Sequence, residues 1–73
     1  MNIDVFPNGM KLSVVIPIYN EEKTLSEIVA KVQATPYDKE LILVDDCSTD
    51  TSREVMKALQ EQYDNIRCFY HFR

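Results

Sequence analysis

Two apolar runs rich in β-branched residues, Leu12–Ile18 (LSVVIPI) and Glu40–Val44 (ELILV), stand one helix's length apart. Such runs suit strands covered on both faces, as in a parallel sheet. Between them Leu25, Ile28, Val29 and Val32 recur at i, i+3, i+4 and i+7, which is one apolar helix face. The pattern then repeats. Val55, Met56, Leu59 and Tyr63 mark a second helix face, with Lys57, Gln60 and Glu61 outside it. Residues 66–72 (IRCFYHF) alternate, with Ile66, Cys68, Tyr70 and Phe72 on one side and Arg67, Phe69 and His71 on the other. The partly polar second side suits an edge strand. The order β-α-β-α-β with short connections predicts an α/β chain, a Rossmann-like half with parallel strands in the spatial order 3-2-1.

The ends of these elements carry their own signals. Pro-Asn-Gly at 7–9 is turn chemistry, so residues 1–11 are expected as a short, weakly ordered lead-in to a unit over 12–73. Pro17 cannot donate to a ladder, so the first strand is expected to stop around Ile16 to Ile18. Asn20 is expected to cap the first helix, with Glu21 and Glu22 in its first turn facing the helix dipole. Thr35-Pro36 ends that helix. Residues 45–50 are expected as a loop. Thr51 and Glu54 suit a capping box for the second helix, with Asp50 as the rival cap. In the order 3-2-1, strand 1 is an edge, although its apolarity suits a central position. An apolar edge invites pairing. The chain is therefore expected to be half of a domain, or one partner of a homo-oligomer joined through strand 1.

With 73 residues there is room for one small domain, which buries roughly 60% of its unfolded surface. The net charge of -4 and the scattered Lys and Arg residues speak against nucleic acid as a partner. No apolar run approaches the ~18 residues of a membrane span, and the first residues lack the pattern of a signal peptide. A cytoplasmic setting is the expectation. Cys47 and Cys68 are too few and too irregularly spaced for a disulfide scaffold or a zinc site, so both are expected as free thiols. The single glycine, Gly9, excludes a Gly-rich phosphate loop of the dinucleotide or Walker type. The lone histidine, His71, is expected on a strand surface.

In sheets of this kind ligands bind beyond the carboxyl ends of the strands. Two stretches fall at that edge, PIYNEE after strand 1 and DDCSTD after strand 2. Asp45 and Asp46 are adjacent, so in extended backbone they point to opposite sides, one toward a ligand and one bracing the loop. A carboxylate there suits the N–H of a nucleobase, the hydroxyls of a ribose or a divalent metal. The plainer alternative is a pair of solvated loop acids. Tyr19 beside an acid can stack on a base. The plainer alternative for its neighbours is the start of a helix.

VVIPIYNEEKTL followed about twenty residues later by ELILVDDCSTDTS resembles the opening of a family-2 inverting glycosyltransferase of the GT-A fold. Among these it is closest to the dolichyl- or polyprenyl-phosphate sugar synthases. The paired motifs are specific where either alone is weak, and the similarity covers about residues 12–72. The resemblance implies that Pro17, Tyr19 and Glu21 border the base and ribose of a sugar-nucleotide donor. It implies that Asp45 contacts the base or ribose with Asp46 beside it. It further implies a UDP- or GDP-linked sugar as donor, a polyprenyl phosphate or other acceptor, and a divalent metal, Mg or Mn, in the full-length enzyme, which would associate with the cytoplasmic face of a membrane. Cys47 and Thr51 depart from the family, standing where glycines are usual. The family's Asp-x-Asp metal site and catalytic base follow later strands than the three found here. No catalytic residue is therefore assigned, and this chain alone is expected not to turn over. The reading from a different class is a non-catalytic binding or receiver-like signalling module. Receivers, however, place their acid pair after the first strand.

Overall fold

A computed structural model of the chain describes residues 3–71. The elements are β1 (Asp4–Asn8), β2 (Lys11–Ile18), α1 (Leu25–Gln33), β3 (Lys39–Asp46), α2 (Ser52–Gln62) and β4 (Ile66–His71). β2, β3 and β4 are the three expected strands. They pair in parallel in the order β4-β3-β2, with Val14 opposite Leu41 and Leu43 opposite Cys68. Phe72, expected to close the last strand, lies outside the described residues.

The lead-in is a correction. Asp4–Asn8 is a strand, paired antiparallel with β2 from Asp4↔Val15 to Asn8↔Lys11. The turn residues are present, but they serve a two-residue hairpin rather than an irregular tail. Gly9 takes φ +67 at the first central position, where glycine costs least. β1 thus occupies the edge that strand 1 of the sequence reading, now β2, was expected to expose. The argument for self-pairing through that strand falls with it.

The core lies on one face of the sheet. Val14, Ile16 and Ile18 of β2, Leu41 and Leu43 of β3 and Ile66 of β4 pack with Leu25 and Val29 of α1 and Met56 and Leu59 of α2. Both helices therefore cover the same face, and α1 touches α2. The alternate residues Val15, Ile42 and Val44 are half-buried, and Phe6 and Phe69 are exposed, on the face that the helices leave open. Pro17 and Asp46 belong to that open face too, in step with Val15 and Val44.

The amino-end edge of the sheet is tied by side chains. Gln33 Nε2 donates to Asn65 Oδ1 at 2.6 Å, and Asn65 Nδ2 returns a bond to Gln33 Oε1 at 3.0 Å. Asn65 Nδ2 also reaches the Lys39 carbonyl at 3.2 Å. One asparagine thereby joins the end of α1, the start of β3 and the turn before β4. Among the described residues no helix is long and apolar enough to cross a membrane.

Candidate functional site

β2 ends at Ile18, within the expected limits and one residue past Pro17, and pairs Ile18 with Asp45. β1 reaches only to Val15, so Pro17 lies past the hairpin. Asp45 and Asp46 are likewise the last residues of β3 rather than the first of a loop. The strand geometry separates them. Asp45 is fully buried on the helix side, and Asp46 is exposed on the open side.

Asp45 is enclosed by its own loop. Its carboxylate accepts the Ser48 amide at 3.3 Å and Arg53 Nε of α2 at 2.6 Å. Burial by itself raises the pKa of this carboxyl. The hydrogen bonds from Ser48 and Arg53, together with the guanidinium charge, outweigh that and hold it below the ordinary carboxylate value. Arg53 Nη2 also donates to the His71 carbonyl at 3.0 Å, as does Cys47 Sγ at 3.3 Å. The end of β4 is thus fastened to the loop that follows β3.

Asp46 faces a cavity of about 210 Å³ whose other walls are Pro17, Ile18, Tyr19 and Glu21. The structure so brings Pro17, Tyr19, Glu21 and Asp46 together and places Asp45 on the other side of the strand. Tyr19 is 58% exposed, with its ring available for stacking. Glu21 Oε2 accepts Thr24 Oγ1 at 3.0 Å. Exposed His71 sits with Nδ1 at 3.8 Å from Asp46 Oδ1. Pockets that bury a whole drug-sized ligand run to about 300–1,000 Å³, so this cavity takes a part of such a molecule.

The helix caps also differ from expectation. α1 starts at Leu25 with Thr24 as its cap, and the Thr24 side chain makes no capping bond, its hydroxyl going to Glu21 instead. Asn20 sits earlier, at φ +51, and its side chain serves the other loop. Asn20 Oδ1 accepts the Thr49 amide at 2.8 Å, Thr49 Oγ1 at 3.3 Å and the Asp50 amide at 3.3 Å. Glu22 accepts the Thr51 amide at 3.0 Å and also Thr51 Oγ1, so Thr51 makes no capping box. Thr51 stands at the N-cap position of α2 without a side-chain cap bond, and Asp50, one residue earlier, accepts the Ser52 amide at 2.9 Å and Ser52 Oγ at 2.6 Å. Burial raises the Asp50 pKa, and these bonds with that from Glu22 more than reverse it. Sequence reasoning missed Ser48 and Ser52 as partners of the first loop. Their signal was there, since S-x-D-x-S puts alternate short acceptors along one segment.

Cys47 takes φ +57, a left-handed conformation that explains why a glycine would be at ease there. Both cysteines are free. Among the described residues no group of three His, Cys, Asp or Glu is placed to hold a metal ion.

The family described as "Glycosyl transferase family 2" matches residues 13–72. A poly(ribitol-phosphate) beta-glucosyltransferase of Bacillus spizizenii is 42% identical over 60 residues, which cover 78% of this chain and 10% of the relative. Two enzymes named undecaprenyl-phosphate 4-deoxy-4-formamido-L-arabinose transferase are also similar. That of Photorhabdus laumondii is 46% identical over 64 residues, covering 82% of this chain and 20% of the relative. That of Pseudomonas fluorescens is 38% identical over 58 residues, covering 74% of this chain and 17% of the relative. The chain thus spans between a tenth and a fifth of these proteins. No solved structure matches it.

Proposed function

Because the chain belongs to glycosyl transferase family 2, we propose that the cavity beside Asp46 receives the base and ribose of a nucleoside diphosphate sugar, UDP- or GDP-linked. The observation that carries this reading is the convergence of an exposed aromatic ring and two carboxylate residues on one cavity at the carboxyl edge of β2 and β3. Tyr19 stacks on the base. Asp46 accepts a base N–H or a ribose hydroxyl, and Glu21 accepts a second hydroxyl. Pro17 and Ile18 supply the apolar floor. Asp45 does not touch the donor in this reading. It holds the Ser48 amide, and so the turn that follows Asp46.

We assign to these residues the binding and orientation of the donor, not the transfer of the sugar. The whole enzyme transfers a hexose with inversion to an acceptor, which we take to be a polyprenyl phosphate. The names of two of the relatives support that choice. A divalent metal, Mg or Mn, would balance the charge of the departing diphosphate. The described residues do not by themselves form a seat for it, and no step is derived through it.

Calorimetric titration with UDP and GDP, with and without Mn²⁺, tests the reading. The wild-type chain binds one of the two, and Asp46→Ala abolishes the binding while the chain stays folded. A folded Asp46→Ala chain that binds as well as wild type contradicts it.

A further inference from the structure

The cavity wall made by Tyr19 and Glu21 is a loop between β2 and α1, where Glu21 is bonded locally by Thr24 Oγ1 and by the Thr24 and Leu25 amides. Asn20 stands between these two residues in the left-handed region, at φ +51. Asparagine tolerates that region better than most residues. Its backbone amide donates to Ser48 Oγ at 3.0 Å, and its Oδ1 accepts from Thr49 and Asp50. The two following amides are also claimed by the second loop, Glu21 N by Ser52 Oγ at 2.8 Å and Glu22 N by Asp50 Oδ2 at 3.3 Å. Three successive amides of one loop are thus held by three side chains of the other. Asn20 and Glu22 each contribute both a backbone donor and a side-chain acceptor to this clamp, and Asn20 is the one that stands between Tyr19 and Glu21.

We propose that Asn20 is a positioning residue, a latch that locks the β2–α1 loop onto the β3–α2 loop and so sets Tyr19 and Glu21 across the cavity from Asp46. The inference rests on the donor-site reading given above for its consequence in binding, but not for the latch itself. Asn20 is not among the residues that line the cavity. It acts through the residues on either side of it. Every side-chain bond it makes uses Oδ1 as an acceptor, so a carboxylate at this position can make the same bonds, and Asp also tolerates the left-handed region.

Two variants separate the latch from a local turn preference. Asn20→Gly keeps the left-handed backbone and removes the acceptor. Asn20→Asp keeps both. The first readout is amide hydrogen exchange at Glu21 and Glu22, whose bonds go to Ser52 and Asp50 and not to Asn20. Asn20→Gly strips protection from these two amides while core amides such as Leu43 stay protected, and Asn20→Asp restores it. Unchanged protection at Glu21 and Glu22 in Asn20→Gly overturns the latch. The second readout is affinity for uridine and guanosine, uncharged probes that the added carboxylate does not repel. Asn20→Gly weakens binding at least about tenfold, and Asn20→Asp binds within about threefold of wild type. Wild-type affinity in a Gly variant that has lost protection overturns the positioning role. A wild-type chain that binds neither nucleoside nor its diphosphate removes the donor-site reading, and the exchange data then decide the latch by themselves.

Discussion

Arg53 Nε lies 2.6 Å from Asp45 Oδ2, and the aspartate of this pair is fully buried while the arginine side chain keeps 27% of its exposure. Removing one partner of a buried pair leaves an uncompensated charge and costs about 3–5 kcal/mol. A chain of this size has stability of only about that order. Arg53→Ala is therefore expected to unfold the chain, read as loss of the cooperative urea transition. Asp45→Asn is expected to be milder, because its amide oxygen still accepts the Ser48 amide.

The same pair fixes a pH dependence. The Asp45 carboxyl titrates lower in the folded chain than in the unfolded one. The unfolded state takes up this proton first as pH falls, at about pH 4. The pair's contribution is complete above that value and is lost as pH falls further, through the folded-state pKa. Urea midpoints measured from pH 7 downward are expected to drop below about pH 4 in wild type, and to drop less steeply in Asp45→Asn. Equal slopes for the two proteins contradict the assignment.

Cys47 holds a left-handed backbone at φ +57. For a residue with a Cβ that conformation costs about 1–2 kcal/mol, and glycine escapes the cost but loses more chain entropy on folding. Glycine also loses the bond from Sγ to the His71 carbonyl. Cys47→Gly is expected to raise stability by about 0.5 kcal/mol, and Cys47→Val to lower it by about 1 kcal/mol or more. Denaturant midpoints check both signs.

Asn65 joins three elements through Gln33 and the Lys39 carbonyl. Asn65→Ala leaves the Gln33 amide and that carbonyl without this partner, at about 1–3 kcal/mol. The expected outcome is a lower melting temperature with the cavity beside Asp46 unaffected.

The parallel core was legible because its signals are local and periodic. β-branched runs, an i, i+3, i+4, i+7 stripe and short connections name the strands, the helices and their order without any long-range contact. β1 was not legible, because DVFPN carries a proline and two polar residues and becomes a strand only by pairing with β2. The caps were misassigned for a related reason. Asn20, Asp50 and Thr51 all suit helix starts, and the sequence does not say that two loops will lie side by side and compete for these acceptors. The acid pair was legible as one inward and one outward carboxylate. Which was which depended on whether the helices cover the odd or the even face of β3, and they cover the face of Leu41, Leu43 and Asp45.

The central claim is that Asp46 and the Tyr19–Glu21 loop form the donor wall. The most direct measurement is an amide chemical-shift map of the isotopically labelled chain titrated with UDP and GDP. The account predicts that the shifts gather at Ile18 through Glu21 and at Asp46 through Ser48, and that they vanish in Asp46→Ala. Shifts gathered instead at the apolar cavity near Val5, Leu12, Val14 and Tyr37, or none at saturating ligand in a folded chain, would contradict it.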